Sequence, residues 1–167
     1  MQHDLVIHLY IQQLLIQMNI EDIIKTNSAL PLSRKAIVNL LYTEHWVSDN
    51  MNTVLKPYDI SIQQFNVLRI LKGQKGKPAN LSTIQERMVN KMSNTTRLVD
   101  KLKKRSLVKR IQCKSNRRKV EITITKEGID FLEQINPIVD NFEKTTTCNL
   151  TETELILLNK LLNKLRA

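Results

Sequence analysis

Glycine and proline are scarce in this sequence, three of one and four of the other among 167 residues. So few breakers predict a mostly helical chain and leave no room for a loop-rich one. Cysteine is scarcer still. Cys113 and Cys148 alone cannot build a disulfide scaffold, and they fit a reducing, cytoplasmic setting. No apolar run reaches the roughly 18 residues of a membrane span, so no membrane partner is expected. Motifs that carry chemistry are missing too. There is no phosphate-binding glycine loop, no His-Glu-x-x-His and no Cys-x-x-Cys. His3, His8 and His45 are too scattered for a metal site, and no Ser or Cys shows an oriented base nearby. The expectation is a protein without catalytic residues, metal or cofactor.

Acidic residues are rare in one place above all. Residues 60–126 hold 18 Lys or Arg against 3 Asp or Glu, a net charge of +15, while the rest of the chain carries −5. A basic middle between acidic flanks points to a polyanion bound at one place. Hydrophobic content is 41%, and the length is enough for one compact domain with a proper core.

The periodicity places this charge. Apolar residues from Ser33 to about Leu55, including Ile37, Leu40, Leu41, Val47 and Met51, suit one long amphipathic helix that Pro57 stops. In "ISIQQF", Ser61 and Gln64 form a capping box and Ile60 staples onto Phe65, starting a helix that ends near Gly73. The stretch "GQKGKPAN" reads as a loop. "LSTIQERM" is a short helix with Ser82 as its cap and Gln85 at the box position. Another helix begins near Ser93, with Thr95, Leu98, Val99 and Leu102 as its buried stripe. Two short helices joined by a tight turn form a helix-turn-helix pattern.

The period then becomes two. Leu107, Ile111 and Cys113 share one strand face, which makes Cys113 a small buried hydrophobe, and Val120, Ile122 and Ile124 line the next strand. The basic turn "KSNRRK" sits between them, and such a hairpin is a wing. Thr125 caps a helix through Ile129, Leu132, Ile135 and Val139, which Pro137 should kink or interrupt. Cys148 falls in a polar loop. The last helix opens on Leu150, Thr151, Glu154 and Leu155, and its seam of Leu155, Leu158, Leu162 and Leu165 asks for a partner helix, in the same chain or another subunit.

The basic helix and turn have a physical use. A helix fits the major groove of duplex DNA, and short polar side chains near its N-terminus reach base edges. Ser93, Asn94, Thr96 and Arg97 are suited to that work, Arg97 to a bidentate guanine contact. Lys101, with Lys103 and Lys104, can neutralise phosphates. Arg117, Arg118 and Lys119 at the turn can meet the backbone or enter a narrow minor groove.

From about Ser33 to Leu165 the chain resembles the MarR family of winged-helix transcriptional regulators. The family's wing reads Asp-x-Arg-x-x-x-Val-x-Leu-Thr, and "NRRKVEITIT", Asn116 to Thr125, is similar to it. "SNTTRLVDKL" resembles the family's recognition helix and "LVKR" the strand after it. Asn116 stands where Asp is usual, so the ion pair that steadies the wing is unavailable. Ser106 stands where Gly is usual, so a difference at the helix end is expected. The resemblance implies a winged helix-turn-helix flanked by N- and C-terminal dimerisation helices, mostly α with a small β-hairpin wing. It divides the chain into an N-terminal extension at 1–32, a first long helix at 33–57, a DNA-binding lobe at 60–125 and C-terminal helices at 126–167. It implies a homodimer reading a pseudo-palindromic operator in double-stranded DNA, with Arg118 on the arginine that enters the minor groove. It also implies a repressor relieved by a small aromatic or amphipathic effector, with Tyr42, His45 and Trp46 as candidate lining residues that equally suit core or dimer contacts. The alternative is a protein-interaction module whose charge is incidental.

Residues 1–17 differ in kind. They contain Asp4 as their one acid and no Lys or Arg, and their apolar residues would crowd most of a helix circumference. They lack the basic start and cleavage site of a signal peptide. Met18 is therefore read as the native start. The alternative is a genuine extra helix on the dimer helices.

Overall fold

The computed structural model describes residues 19–112 and 120–167. The early segment 1–17 and the turn residues Cys113 to Lys119 lie outside the described residues. The described residues divide into two compact units, one ending at Val47 and one running from Ser48 to Ala167.

In the first unit, a single turn of helix, α1 (Ile20–Ile23), starts at Asn19, whose N–H donates to the Asp22 carboxylate at 3.1 Å. Ile20 is buried. Lys35 Nζ stands 2.9 Å from Glu21 Oε2 and holds the Glu21 carboxyl below the usual carboxylate range. The long helix α2 (Leu32–Leu55) begins in this unit and ends in the second. Its amphipathic pattern forms the expected helix, yet Ile37, Leu40 and Leu41 stay exposed and Leu55 is its one buried residue. A turn of 3-10 helix at Lys56–Tyr58 carries Pro57 and ends in Asp59 at φ 50°.

The second unit holds the core. Helix α3 (Ile62–Gly73) opens on the expected capping box: Ser61 N–H donates to Gln64 Oε1 at 3.0 Å, and Gln64 N–H to Ser61 Oγ at 3.3 Å. Val67, Leu68 and Leu71 on its inner face are buried. Around it lie α4 (Leu81–Arg87), α5 (Thr95–Lys104) and α6 (Lys126–Thr147), which supply Ile84, Val99, Leu102, Leu132, Ile135 and Val139 to one continuous cluster. Two strands, β1 (Val108–Gln112) and β2 (Val120–Ile124), pair antiparallel from Val108↔Ile124 to Gln112↔Val120. The last helix is α7 (Glu152–Leu165).

Several expectations are corrected. The cap of α4 is Asn80, not Ser82: Asn80 Oδ1 accepts from Thr83 N–H at 2.8 Å and from Ser82 Oγ at 2.6 Å. The stretch read as a loop contains a bridge, because Ala79 N–H donates to the Ile122 carbonyl at 2.9 Å and Ile122 N–H to the Ala79 carbonyl at 2.8 Å. One residue is too short for a strand period to show. Helix α5 begins near Ser93 as expected, with Asn94 as its cap and Thr95 as its first residue. Leu107 is buried ahead of the strand, whereas Ile111 faces out opposite Glu121; the face paired with Ile122 carries Val108 and Arg110. Pro137 does not interrupt α6, since Ile135 and Val139 on either side are buried in the core. The lost hydrogen bond is outweighed by that packing.

Two backbone features join α5 to the hairpin and to α6. Ser106, at φ 59°, ends α5 in the left-handed conformation, with Ser106 N–H donating to the Lys103 carbonyl at 2.9 Å and Leu107 N–H to the Leu102 carbonyl at 3.0 Å. The expected difference at this helix end therefore does not arise, at a backbone cost of about 1–2 kcal/mol for a side chain where glycine would have none. Gly128 is required for a different reason. A Cβ there would stand 2.1 Å from the Leu107 carbonyl oxygen and 2.8 Å from Ile124 Cγ1, so no side chain fits between α6 and the hairpin.

Candidate nucleic-acid interface

Helix α5 splits into two faces. Thr95, Val99 and Leu102 point into the core, and Leu98 is half-buried. Thr96, Arg97, Lys101, Lys103 and Lys104 are exposed. Arg97, Lys101 and Lys104 fall at i, i+4 and i+7 and so line one side of the helix. Asn94 caps the helix, its Oδ1 accepting from Arg97 N–H at 3.0 Å. Ser93 precedes the cap, its N–H donating to the Asn90 carbonyl at 3.2 Å. Ser93, Asn94, Arg97 and Lys101 are thus brought together, and with Leu98 and Gln63 they line an open depression of about 310 Å³. Gln63 comes from α3, some thirty residues away in sequence, and no local pattern could have marked it.

The charge of α5 is arranged as well as abundant. Its one acid, Asp100, is paired with Arg110 of β1 at 2.6 Å. That pair is partly exposed, so its energetic value is small. Its consequence is geometric and electrostatic: it ties the helix to the hairpin and removes the single negative charge from the basic face. Arg105 takes no part in that face. Its guanidinium donates to the carbonyls of Asp59 and Tyr58, the latter at 3.1 Å, and lies 5.0 Å from the centre of the Phe131 ring. It locks the end of α5 to the 3-10 turn and to α6.

The strands that carry the wing are paired as far as Gln112 and Val120, the residues on either side of the turn. Arg117, Arg118 and Lys119 themselves lie outside the described residues. Tyr42, His45 and Trp46 sit together along α2 in the first unit, all three exposed. Cys148, at the end of α6, is exposed. No helix among the described residues is long and apolar enough to cross a membrane.

A short helix, a tight turn, a basic second helix and an antiparallel hairpin, packed on a helical core, define a winged helix-turn-helix. The MarR family model matches residues 60–120. The HTH-type transcriptional regulator YfiV of Bacillus subtilis (strain 168) is 30% identical over 112 residues, 66% of this chain and 69% of its own length. The transcriptional repressor MprA of Escherichia coli (strain K12) is 27% identical over 117 residues, 70% of this chain and 66% of its length. A MarR-like transcription regulator from Bacillus cereus ATCC 10987 superposes with a TM-score of 0.72 at 26% identity, covering 80% of this chain and 95% of that one. The chain belongs to the MarR family and spans about two thirds of the length of the curated relatives it matches.

Proposed function

We propose that this protein is a sequence-specific duplex-DNA-binding transcriptional regulator, acting as a dimeric repressor relieved by a small aromatic or amphipathic molecule. The observation that carries the reading is the outward face of α5: four cationic side chains, Arg97, Lys101, Lys103 and Lys104, all exposed, with the one acid of the helix paired away. Residues 60–125 form the reading lobe. Ser93, Asn94, Thr96 and Arg97 address base edges, Lys101 addresses phosphate, and Arg117, Arg118 and Lys119 serve the wing. The named functions of the bacterial relatives support the same assignment. Genomic-fragment selection at moderate salt tests it. The expected product is a pseudo-palindromic site whose affinity falls by about 0.9 log unit per phosphate contact for each decade of salt. Recovery of no preferred sequence would favour a protein-interaction module and sink the regulator reading.

Dimerisation is supported by apolar surface that the single chain leaves uncovered. Helix α7 has no buried residue, and Ile156, Leu157, Leu158, Leu161 and Leu165 are all exposed along it. In the first unit, Ile37, Leu40 and Leu41 of α2 are exposed as well. For the effector, Tyr42, His45 and Trp46 are the proposed contacts. Trp46 is the sole tryptophan of the chain, so its fluorescence reports on them directly. Titration with a panel of small phenolic and benzoate compounds should quench it saturably and release the selected DNA over the same range. Release without any change in Trp46 emission would place the effector elsewhere.

A further inference from the structure

Beside the DNA-facing helix stand two large apolar side chains that the fold does not use. Val89 is 89% and Met92 94% exposed, both in the turn between α4 and α5. The turn that carries them is held firmly. Met88, next to Val89, is buried, and Thr95 at the other end is buried as well. Between them Met92 N–H donates to Asn90 Oδ1 at 3.0 Å, and Gln85 Nε2 donates to the Lys91 carbonyl at 3.0 Å. A fixed backbone therefore presents the Met92 side chain outward, two residues ahead of the Asn94 cap. Its neighbours in sequence, Lys91 and Ser93, and the Arg97 face beyond, are polar or cationic. An apolar side chain in that setting contributes nothing to the core, and in the chain it directly precedes Ser93 and Asn94, which the reading above assigns to base edges.

The major groove offers one apolar group, the C5-methyl of thymine. Met is long, unbranched and polarisable, and adapts to such a contact better than the shorter Val89. We propose that Met92 reads a thymine methyl group in each half-site and is a specificity-determining residue. The assignment rests on the DNA-binding reading above.

Deoxyuridine scanning tests it. Each thymine of the selected site is replaced in turn by deoxyuridine, which removes the methyl and leaves the hydrogen-bonding edge unchanged. Wild-type protein should lose about fourfold in affinity at one thymine per half-site, the worth of one buried methyl group. Met92→Ala should lose a similar factor on the thymine site and nothing further on the deoxyuridine site at that position. Met92→Leu should keep most of the affinity and of the methyl sensitivity. At 94% exposure the substitutions leave the core untouched, which circular dichroism checks. If the deoxyuridine profiles of Met92→Ala and wild type coincide, or no thymine is methyl-sensitive, the assignment is overturned while the regulator reading stands. A wild-type protein with no preferred site overturns both.

Discussion

Glutamate at Leu158 and Leu162 together is expected to convert the proposed dimer to a monomer, or to unfold the chain, and to abolish tight binding to the selected DNA site. Leu158 is 42% exposed and Leu162 half-buried on α7, a helix with no buried residue in the single chain. In a two-fold dimer each substitution occurs twice, so four carboxylates replace four leucines in one seam. Each leucine forfeits about 1.5–3 kcal/mol of burial, and each carboxylate adds a desolvation cost. Dissociation should strengthen by several orders of magnitude. Sedimentation velocity at micromolar protein measures the assembly, and circular dichroism separates a folded monomer from an unfolded chain. A variant that sediments as the wild type does would place the interface elsewhere. A wild-type protein that is a folded monomer at that concentration would end the case for obligate dimerisation.

Arg97→Ala is expected to relax base preference at one position per half-site and to cost about 1–3 kcal/mol, five- to a hundredfold or so in affinity. Arg97 is exposed in the first turn of α5, its backbone N–H bound to the Asn94 cap, so the side chain leaves from a fixed point. A planar guanidinium there suits the two acceptors of a guanine. Arg118→Ala is expected to weaken binding with less effect on major-groove bases, because a minor-groove arginine responds to groove width and potential. Competition binding against single-base variants of the site distinguishes the two. Equal and sequence-independent losses from both would contradict this division of labour between helix and wing.

Features set by neighbouring residues were legible before any fold was known. The capping boxes at Ser61 with Gln64 and at Thr151 with Glu154 form as their spacing predicts, with Thr151 N–H donating to Glu154 Oε2 at 2.8 Å. Thr125 caps α6, its Oγ1 accepting from Gly128 N–H at 3.0 Å. The stripe of Thr95, Val99 and Leu102 turned inward and the basic residues turned outward. All of these depend on side chains within one or two turns of each other, where helical geometry alone determines which residues meet.

What local order left open, distant segments decided. Asn80 and Ser82 are both good caps two residues apart. The bridge that holds Ala79 extended against Ile122 makes Asn80 the one from which α4 starts. Arg97 and Arg105 are the same residue type on one stretch of basic chain. Arg97 meets solvent, while Arg105 is drawn to the carbonyls of Tyr58 and Asp59, over 40 residues away, and to the Phe131 ring. Likewise the fold alone brings Arg110 of the hairpin to 2.6 Å from Asp100, the one acid of α5. The sequence by itself determined the order of helices, the hairpin and the face of α5 that carries the charge, because period and capping are short-range. Only the tertiary structure decided which cations are spent inside the protein and which remain for a partner, because a charge takes its role from whatever the fold places within a few ångströms of it.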